Sequence, residues 1–140
     1  MGKGTTRRRS GFFILIMAFL IDSNIVIYSF SDEYTYLRRF IIDESAVISE
    51  ITRVEVLGFA GLNSDQEKYF VDVFSYMKII IPDQEIFNKA IDVRKKYNLK
   101  LGDSIIAATA LIYGLKLFTR NLKDFERVEL LTCINPLTDR

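Results

Sequence analysis

Histidine is absent from this 140-residue chain, which also has no tryptophan, two prolines and one cysteine. Without histidine, neither Ser-His-Asp nor Cys-His catalysis is possible, and no imidazole is present to bind zinc. The lone Cys133 allows no intramolecular disulfide and gives no sign of an oxidising compartment. No GxxxxGK or GxGxxG motif occurs, so nothing supports a nucleotide cofactor. Any chemistry must therefore rest on carboxylates, amides, hydroxyls and amines.

Long apolar runs are equally scarce. The longest has ten residues, from Phe12 to Ile21, and it follows the basic cluster Arg7 to Arg9. A membrane-spanning helix needs about 20 apolar residues. A secretion signal would suit the basic and apolar regions, but no small-x-small cleavage site follows them. The missing cleavage site also argues against a twin-arginine signal. We therefore expect no membrane segment, no export and a cytoplasmic protein.

The end of this run has the length of a buried strand. A parallel strand needs about four to eight apolar residues, and "AFLI" supplies them, with Asp22 at the carboxyl end. Residues 1–16 are then expected to be an N-terminal extension or a non-native start, and residues 17–140 the domain. Leaving out Lys3 and Arg7 to Arg9 leaves 15 basic residues against 18 acidic ones, a net charge of −3. Nucleic-acid binding would then depend on a local basic patch or a metal ion.

Short apolar strands alternate with helical patterns along the whole chain. The runs "SAVIS" (45–49), "KIIIP" (78–82), "LKLFT" and "ELLTCI" predict strands. Ser64 and Glu67 predict a capping box that opens a helix. The nearly all-apolar "GDSIIAATALIYG" predicts a buried helix that ends at Gly114. This alternation predicts a single α/β domain with a parallel sheet.

Acidic and amide side chains follow two of the predicted strands, at the edge where parallel sheets bind ligands. Asp22 ends the first strand, whereas Asn121 and Asp124 follow the fourth, and Asp103 opens the buried helix. Each has a purely structural alternative. Asp22 could be a turn or helix cap, Asp103 could be an N-cap, and Asn121-x-x-Asp124 could start a helical turn.

Glu55 interrupts an apolar stripe. At helical spacing it lies between Ile51, Phe59 and Leu62. A buried carboxylate must be paired, protonated or bound to a metal, and an ion pair with Arg53 or another arginine is the alternative to a metal site. Taken with the other acids, a cluster of hard oxygen ligands suits Mg²⁺ or Mn²⁺.

Four segments together resemble, in order and spacing, the four motifs of PIN-domain ribonucleases. They are "LIDSNIVIYS", "ISEITRVEVLGF", "LKLGDSIIAATAL" and "LFTRNLKDF". The likeness is strongest to the VapC-type toxins of bacterial toxin–antitoxin pairs, and it extends from Met17 to about Pro136. It implies a three-layer α/β/α domain whose central, mostly parallel sheet has four to five short strands.

The resemblance also implies a site and an activity. Its metal-binding carboxylate quartet maps to Asp22, Glu55, Asp103 and Asp124, which would hold Mg²⁺ or Mn²⁺ for hydrolysis of RNA phosphodiester bonds.

The remaining site positions are less sharply defined by the motifs. Thr119 and Asn121 match the polar positions that accompany the last acid, and Arg120 and Lys123 flank the site as candidates for substrate contact. Gly102 departs from the pattern, since such proteins often have proline before the third acid.

The resemblance further implies an antitoxin partner and a homodimer. Segments 33–42 and 64–77, rich in aromatic and aliphatic residues, are the expected interface. The alternative function is a catalytically inactive α/β binding module whose acidic pocket holds a metal or a partner.

Overall fold

The structure is a computed structural model that describes residues 18–138. The expected extension, residues 1–16, lies outside the described residues. The strands are β1 Phe19–Ile21, β2 Ala46–Ser49, β3 Lys78–Ile80, β4 Lys116–Phe118 and β5 Cys133–Ile134. The α-helices are α1 Ser23–Tyr28, α2 Arg38–Ile41, α3 Glu50–Leu57, α4 Ser64–Tyr76, α5 Gln84–Tyr97, α6 Leu101–Tyr113 and α7 Leu122–Phe125. Two 3₁₀ helices are Asp32–Leu37 and Pro136–Thr138.

The five strands form one parallel sheet in the order β3-β2-β1-β4-β5. This confirms the predicted α/β class and parallel sheet. The chain adds β2 and β3 on one side of β1, and then returns to add β4 and β5 on the other. The strand order therefore reverses between β1 and β4, and ligands of open α/β sheets bind at such a switch point, beyond the carboxyl ends of the strands.

Alternation of side chains along the central strands divides the apolar residues between two cores. Leu20 and Val47 pack on the face covered by α5 and α6, whereas Ile21 and Ile48 pack on the face covered by α1 and α4. Successive side chains of a strand point to opposite faces, so each short strand serves both layers. The result is the expected three-layer α/β/α arrangement. No helix within residues 18–138 combines the length and the apolar character needed to cross a membrane.

The capping box of α4 lies one residue earlier than the sequence predicted. Asn63, and not Ser64, is the N-cap: its Oδ1 accepts from the Gln66 N–H at 2.8 Å, and the Gln66 side chain accepts from the Asn63 N–H at 2.9 Å. Asparagine and serine cap about equally well, so residue type did not separate the two positions. The reciprocal bonds with Gln66 decide the position. Phe70, Val73 and Phe74 form the buried face of this helix.

Helix α6 also begins earlier than predicted. Lys100 is the N-cap, with extended backbone, and its carbonyl accepts from the Ser104 N–H at 2.9 Å. Asp103 is therefore not the N-cap but the third residue of the helix. The stretch from Ser104 to Ala110 is buried, as predicted, and the helix ends at Gly114, whose φ of +64° suits glycine.

Candidate functional site

Asp22 follows β1 directly and is hydrogen-bonded to the carboxyl end of β4. Its N–H donates to the Phe118 carbonyl at 2.9 Å, and its Oδ1 accepts from the Ser23 N–H at 2.8 Å, which caps α1. Its Oδ2 accepts from the Thr119 hydroxyl at 2.8 Å and from the Asn24 amide at 3.3 Å. The carboxylate is only 4% exposed. Asp22 is thus a helix cap, as the structural alternative held, and it also lies at the switch point of the sheet.

The Thr119 hydroxyl links this acid to the loop after β4. It is fully buried, and it accepts from the Asn121 N–H at 3.0 Å while it donates to Asp22. Asn24 makes a second link, because its Oδ1 accepts from the Arg120 N–H at 3.0 Å. Sequence reasoning did not single out Asn24. The signal available was its place two residues after the first acid, in "DSN".

Asp124 lies on α7, the short helix that follows the loop after β4. The Asn121 amide donates to its Oδ2 at 3.0 Å. The predicted helical turn is present, since α7 begins at Leu122, but the Asn121 side chain makes no capping bond to the backbone. Asn121 therefore orients an acidic side chain instead of closing the helix end.

Glu55 is exposed, and its predicted place on a buried stripe is wrong. Thr52 and Val56 are the buried residues of α3. The helix has only eight residues, so Phe59 and Leu62 lie beyond its end and share no helical face with Glu55. Extending helical periodicity past the glycine at the helix end produced the error.

The ion pair with Arg53, which was the alternative to a metal site for Glu55, is also absent. Arg53 pairs with Glu50, with 2.8 Å between Nη2 and Oε2. Glu55 instead receives a hydrogen bond from the Ser23 side chain. Its Oε2 lies 2.6 Å from the place that a Cβ on Gly102 would take. Glu55 thus reaches from α3 to the first turn of α6, beside Asp103.

The acids act on one another electrostatically. Burial raises the pKa of Asp22; the bonds from Thr119 and Ser23 oppose this rise, and the charge of Glu55 adds to it. Loss of surrounding water also raises the pKa of Glu55, helped by the charge of Asp103 and opposed by the Ser23 bond.

Asp103 has the best-defined shift. Burial first, and then the charges of Asp22 and Asp124, raise its pKa from 3.8 to about 6, against the opposing charge of Lys100. Each of the four predicted acids is therefore coupled to at least one other, and Asp103 is coupled to all three of the rest. A site of this kind favours a cation, because like charges held together disfavour ionisation of each.

The donor set is suitable for a hydrated divalent cation. Within residues 18–138, no three His, Cys, Asp or Glu side chains are placed closely enough to enclose a metal ion by themselves. Mg²⁺ does not require such a cage, since it commonly binds one or two carboxylates and keeps several waters. The donors here are all hard oxygens, and the buried Asp22 carboxylate has no cationic side chain among its hydrogen-bond partners.

Basic side chains surround the acids. The Arg120 guanidinium lies over the Tyr28 ring, 5.3 Å from its centroid, and Lys123 is exposed on α7 next to Asp124 in the chain. Lys100, at the start of α6, lies near enough to Asp103 for its charge to lower the pKa of that acid. These cations form the kind of local basic patch that a chain with a near-balanced charge needs in order to bind nucleic acid.

Comparison with known proteins finds relatives of this chain. Residues 19–131 match the family model of the PIN domain. The chain is 31% identical over 108 residues to a ribonuclease VapC of Rickettsia bellii, covering 69% of this chain and 81% of that protein. It is 30% identical over 116 residues to ribonuclease VapC1 of Methanocaldococcus jannaschii, covering 79% and 80%. A shorter alignment with ribonuclease VapC6 of that organism is 35% identical over 60 residues, 43% of this chain, and spans only 39% of that protein.

Among solved structures, one similar chain belongs to a toxin–antitoxin complex from Klebsiella pneumoniae. The TM-score is 0.72 at 33% sequence identity, and the match covers 85% of this chain and 98% of the other.

Proposed function

The chain belongs to the PIN-domain family, and on that premise we propose that it is a divalent-metal-dependent endoribonuclease, the toxin of a type II toxin–antitoxin pair. The observation that carries the proposal is the placement of four acids near the switch point of the sheet, where the charge of Asp103 is coupled to those of Asp22, Glu55 and Asp124. The ribonucleases similar to this chain cover most of its length. The proposed reaction is hydrolysis of RNA phosphodiester bonds.

Asp22, Glu55 and Asp103 would hold the principal cation, and Asp124 would hold a second one or orient the attacking water. A bound Mg²⁺ or Mn²⁺ supplies a water of lowered pKa and balances the charge that develops at the phosphate. The Thr119 hydroxyl fixes the Asp22 carboxylate, and the Asn121 amide fixes Asp124.

Substrate phosphates would lie among the basic side chains. Arg120 and Lys123 are exposed beside the acids and can donate to phosphate oxygens. The lack of histidine leaves no imidazole pair to activate a ribose 2′-hydroxyl. We therefore expect water attack to leave a 5′-phosphate and a 3′-hydroxyl, with no 2′,3′-cyclic intermediate.

We also propose a cognate antitoxin and a homodimer. One structure similar to this chain is that of a toxin–antitoxin complex. Large apolar side chains are exposed in the segments that the sequence predicted as an interface, namely Ile42, Val71 and Tyr76. Such exposure is typical of surfaces that bind protein.

Incubation of the purified protein with total RNA, with and without EDTA, tests the activity. We expect cuts only with Mg²⁺ or Mn²⁺, and mapping of the product ends should find 5′-phosphates. Asp22→Asn should abolish cutting, whereas Asp92→Asn, at an exposed position in the middle of α5, should not change it. Cutting that persists in excess EDTA, or a fully active Asp22→Asn variant, would leave the inactive binding module as the better description.

A further inference from the structure

We propose that Gly102 is a positioning residue, which reserves the place of the Glu55 carboxylate beside Asp103 by having no side chain of its own. The consequence for metal binding rests on the proposed function. The contact between Gly102 and Glu55 stands independently of that function.

The spacing leaves no room for a side chain at residue 102. A Cβ there would lie 2.6 Å from Glu55 Oε2 and 3.6 Å from its carboxyl carbon, and real Cβ atoms essentially never approach another atom within 3.0 Å. The other three glycines within residues 18–138 have no carboxylate within 4 Å of the corresponding position. Gly102 is thus the glycine that borders the acidic site.

Backbone conformation does not explain this glycine. Among the described residues, positive φ angles occur only at Asn98, Leu130 and Gly114. Gly102 is the second residue of α6, where alanine would be the better helix former. Glycine is unfavourable to the helix here, and the Glu55 carboxylate is the group that a Cβ at this position would meet.

An added methyl group would move the acid and not the helix. The residues after Asp103 in α6 are buried between the other elements, which holds the first turn in place. Glu55 is exposed, and the atom that would be struck is the far end of its flexible side chain. The displaced carboxylate would leave its place beside Asp103 and lose its bond from Ser23.

Two measurements on Gly102→Ala test the proposal. In EDTA, a double-mutant cycle with Glu55→Ala compares melting temperatures. We expect Gly102→Ala to raise the melting temperature more in the Glu55→Ala background than in the wild type, because only the wild type has a carboxylate to displace. The second measurement is Mn²⁺ binding by calorimetry. Residues that orient metal ligands typically change affinity by about ten- to a hundredfold, so we expect Gly102→Ala to lower the Mn²⁺ affinity of the wild type by about tenfold and to leave that of Glu55→Ala unchanged.

Leu101→Ala is the matched control. Leu101 precedes Gly102 in the same helical turn and is 64% exposed, so its truncation should leave Mn²⁺ affinity unchanged. If Gly102→Ala changes the melting temperature equally in the wild type and in the Glu55→Ala background, the proposed contact between residue 102 and Glu55 is overturned. If the melting temperatures show the contact but Gly102→Ala binds Mn²⁺ as tightly as the wild type, the positioning role is overturned and the contact is not. Failure of the wild type to bind Mn²⁺ would overturn the proposed metal dependence and, with it, the role of Gly102 in metal binding, while the cycle would still decide the contact.

Discussion

Asp103→Asn should stabilise the metal-free protein at neutral pH, although it removes a residue of the proposed active site. Asp103 is partly buried in the first turn of α6, and the charges of Asp22 and Asp124 oppose its ionisation. Asparagine has nearly the same shape and carries no charge. The substitution therefore removes the repulsion and keeps the packing.

The magnitude follows from the pKa of Asp103, which rises from 3.8 to about 6 on folding. Since each unit of pKa corresponds to about 1.4 kcal/mol, this rise lowers the free energy of unfolding above pH 6 by at most about 3 kcal/mol. The side chain is only partly buried, so solvent screening reduces this to about 1–2 kcal/mol. A carboxylate in the first turn of a helix gains about 0.3–1 kcal/mol from the helix dipole, which asparagine loses. The cost of ionising Asp103, which comes first from burial and then from repulsion, is larger than this gain. We therefore expect a net stabilisation of about 1 kcal/mol.

The sign of the pH dependence follows from the same shift. A carboxyl group with a higher pKa in the folded state contributes its full stability below the unfolded pKa, 3.8, and loses it as the pH rises through about 6. The advantage of Asp103→Asn should therefore be largest at pH 7.5 and shrink at pH 4.5.

Thermal unfolding in EDTA at these two pH values measures the effect. A gain of about 1 kcal/mol corresponds to roughly 4 °C for a domain of this size. Asp92→Asn, on the exposed face of α5, is the control and should show no such difference. A lower melting temperature of Asp103→Asn at pH 7.5, or a gain that does not depend on pH, would refute the reasoning.

Three further outcomes are expected. Mg²⁺ or Mn²⁺ at about 100 times the dissociation constant should raise the free energy of unfolding of the wild type by about 2.7 kcal/mol and that of Asp103→Asn by clearly less; equal gains in a thermal melt would contradict the assignment of this acid. Thr119→Val removes the buried hydroxyl that donates to Asp22 and accepts from the Asn121 N–H. It should cost about 1–3 kcal/mol in denaturant unfolding, and an unchanged midpoint would count against the hydrogen-bond network. Arg120→Ala should weaken RNA binding and lower the salt dependence by about one phosphate contact in a titration series, whereas an unchanged salt slope would place the phosphates elsewhere.

Local patterns in the sequence determined the elements of this fold. The apolar runs before Asp22 and around residues 46–49 became buried strands, because a short continuous apolar run suits a parallel strand that is covered on both faces. The alternation of strands and helices was enough to predict parallel pairing. Placing Asp22 and Asp124 near the carboxyl ends of β1 and β4 followed from the same local reading.

Tertiary structure alone decided which of these ends meet. The sheet order puts β4 beside β1, and so brings the Thr119 hydroxyl to Asp22 across 97 positions of sequence. Glu55 shows the limit most clearly: helical periodicity assigned it to the core, whereas in the structure its carboxylate lies against Gly102 in the first turn of α6. Periodicity reports which face of an element is apolar. Which residue of another element a side chain then meets depends on strand order and on where each helix ends. Both are set by the packing of the whole domain.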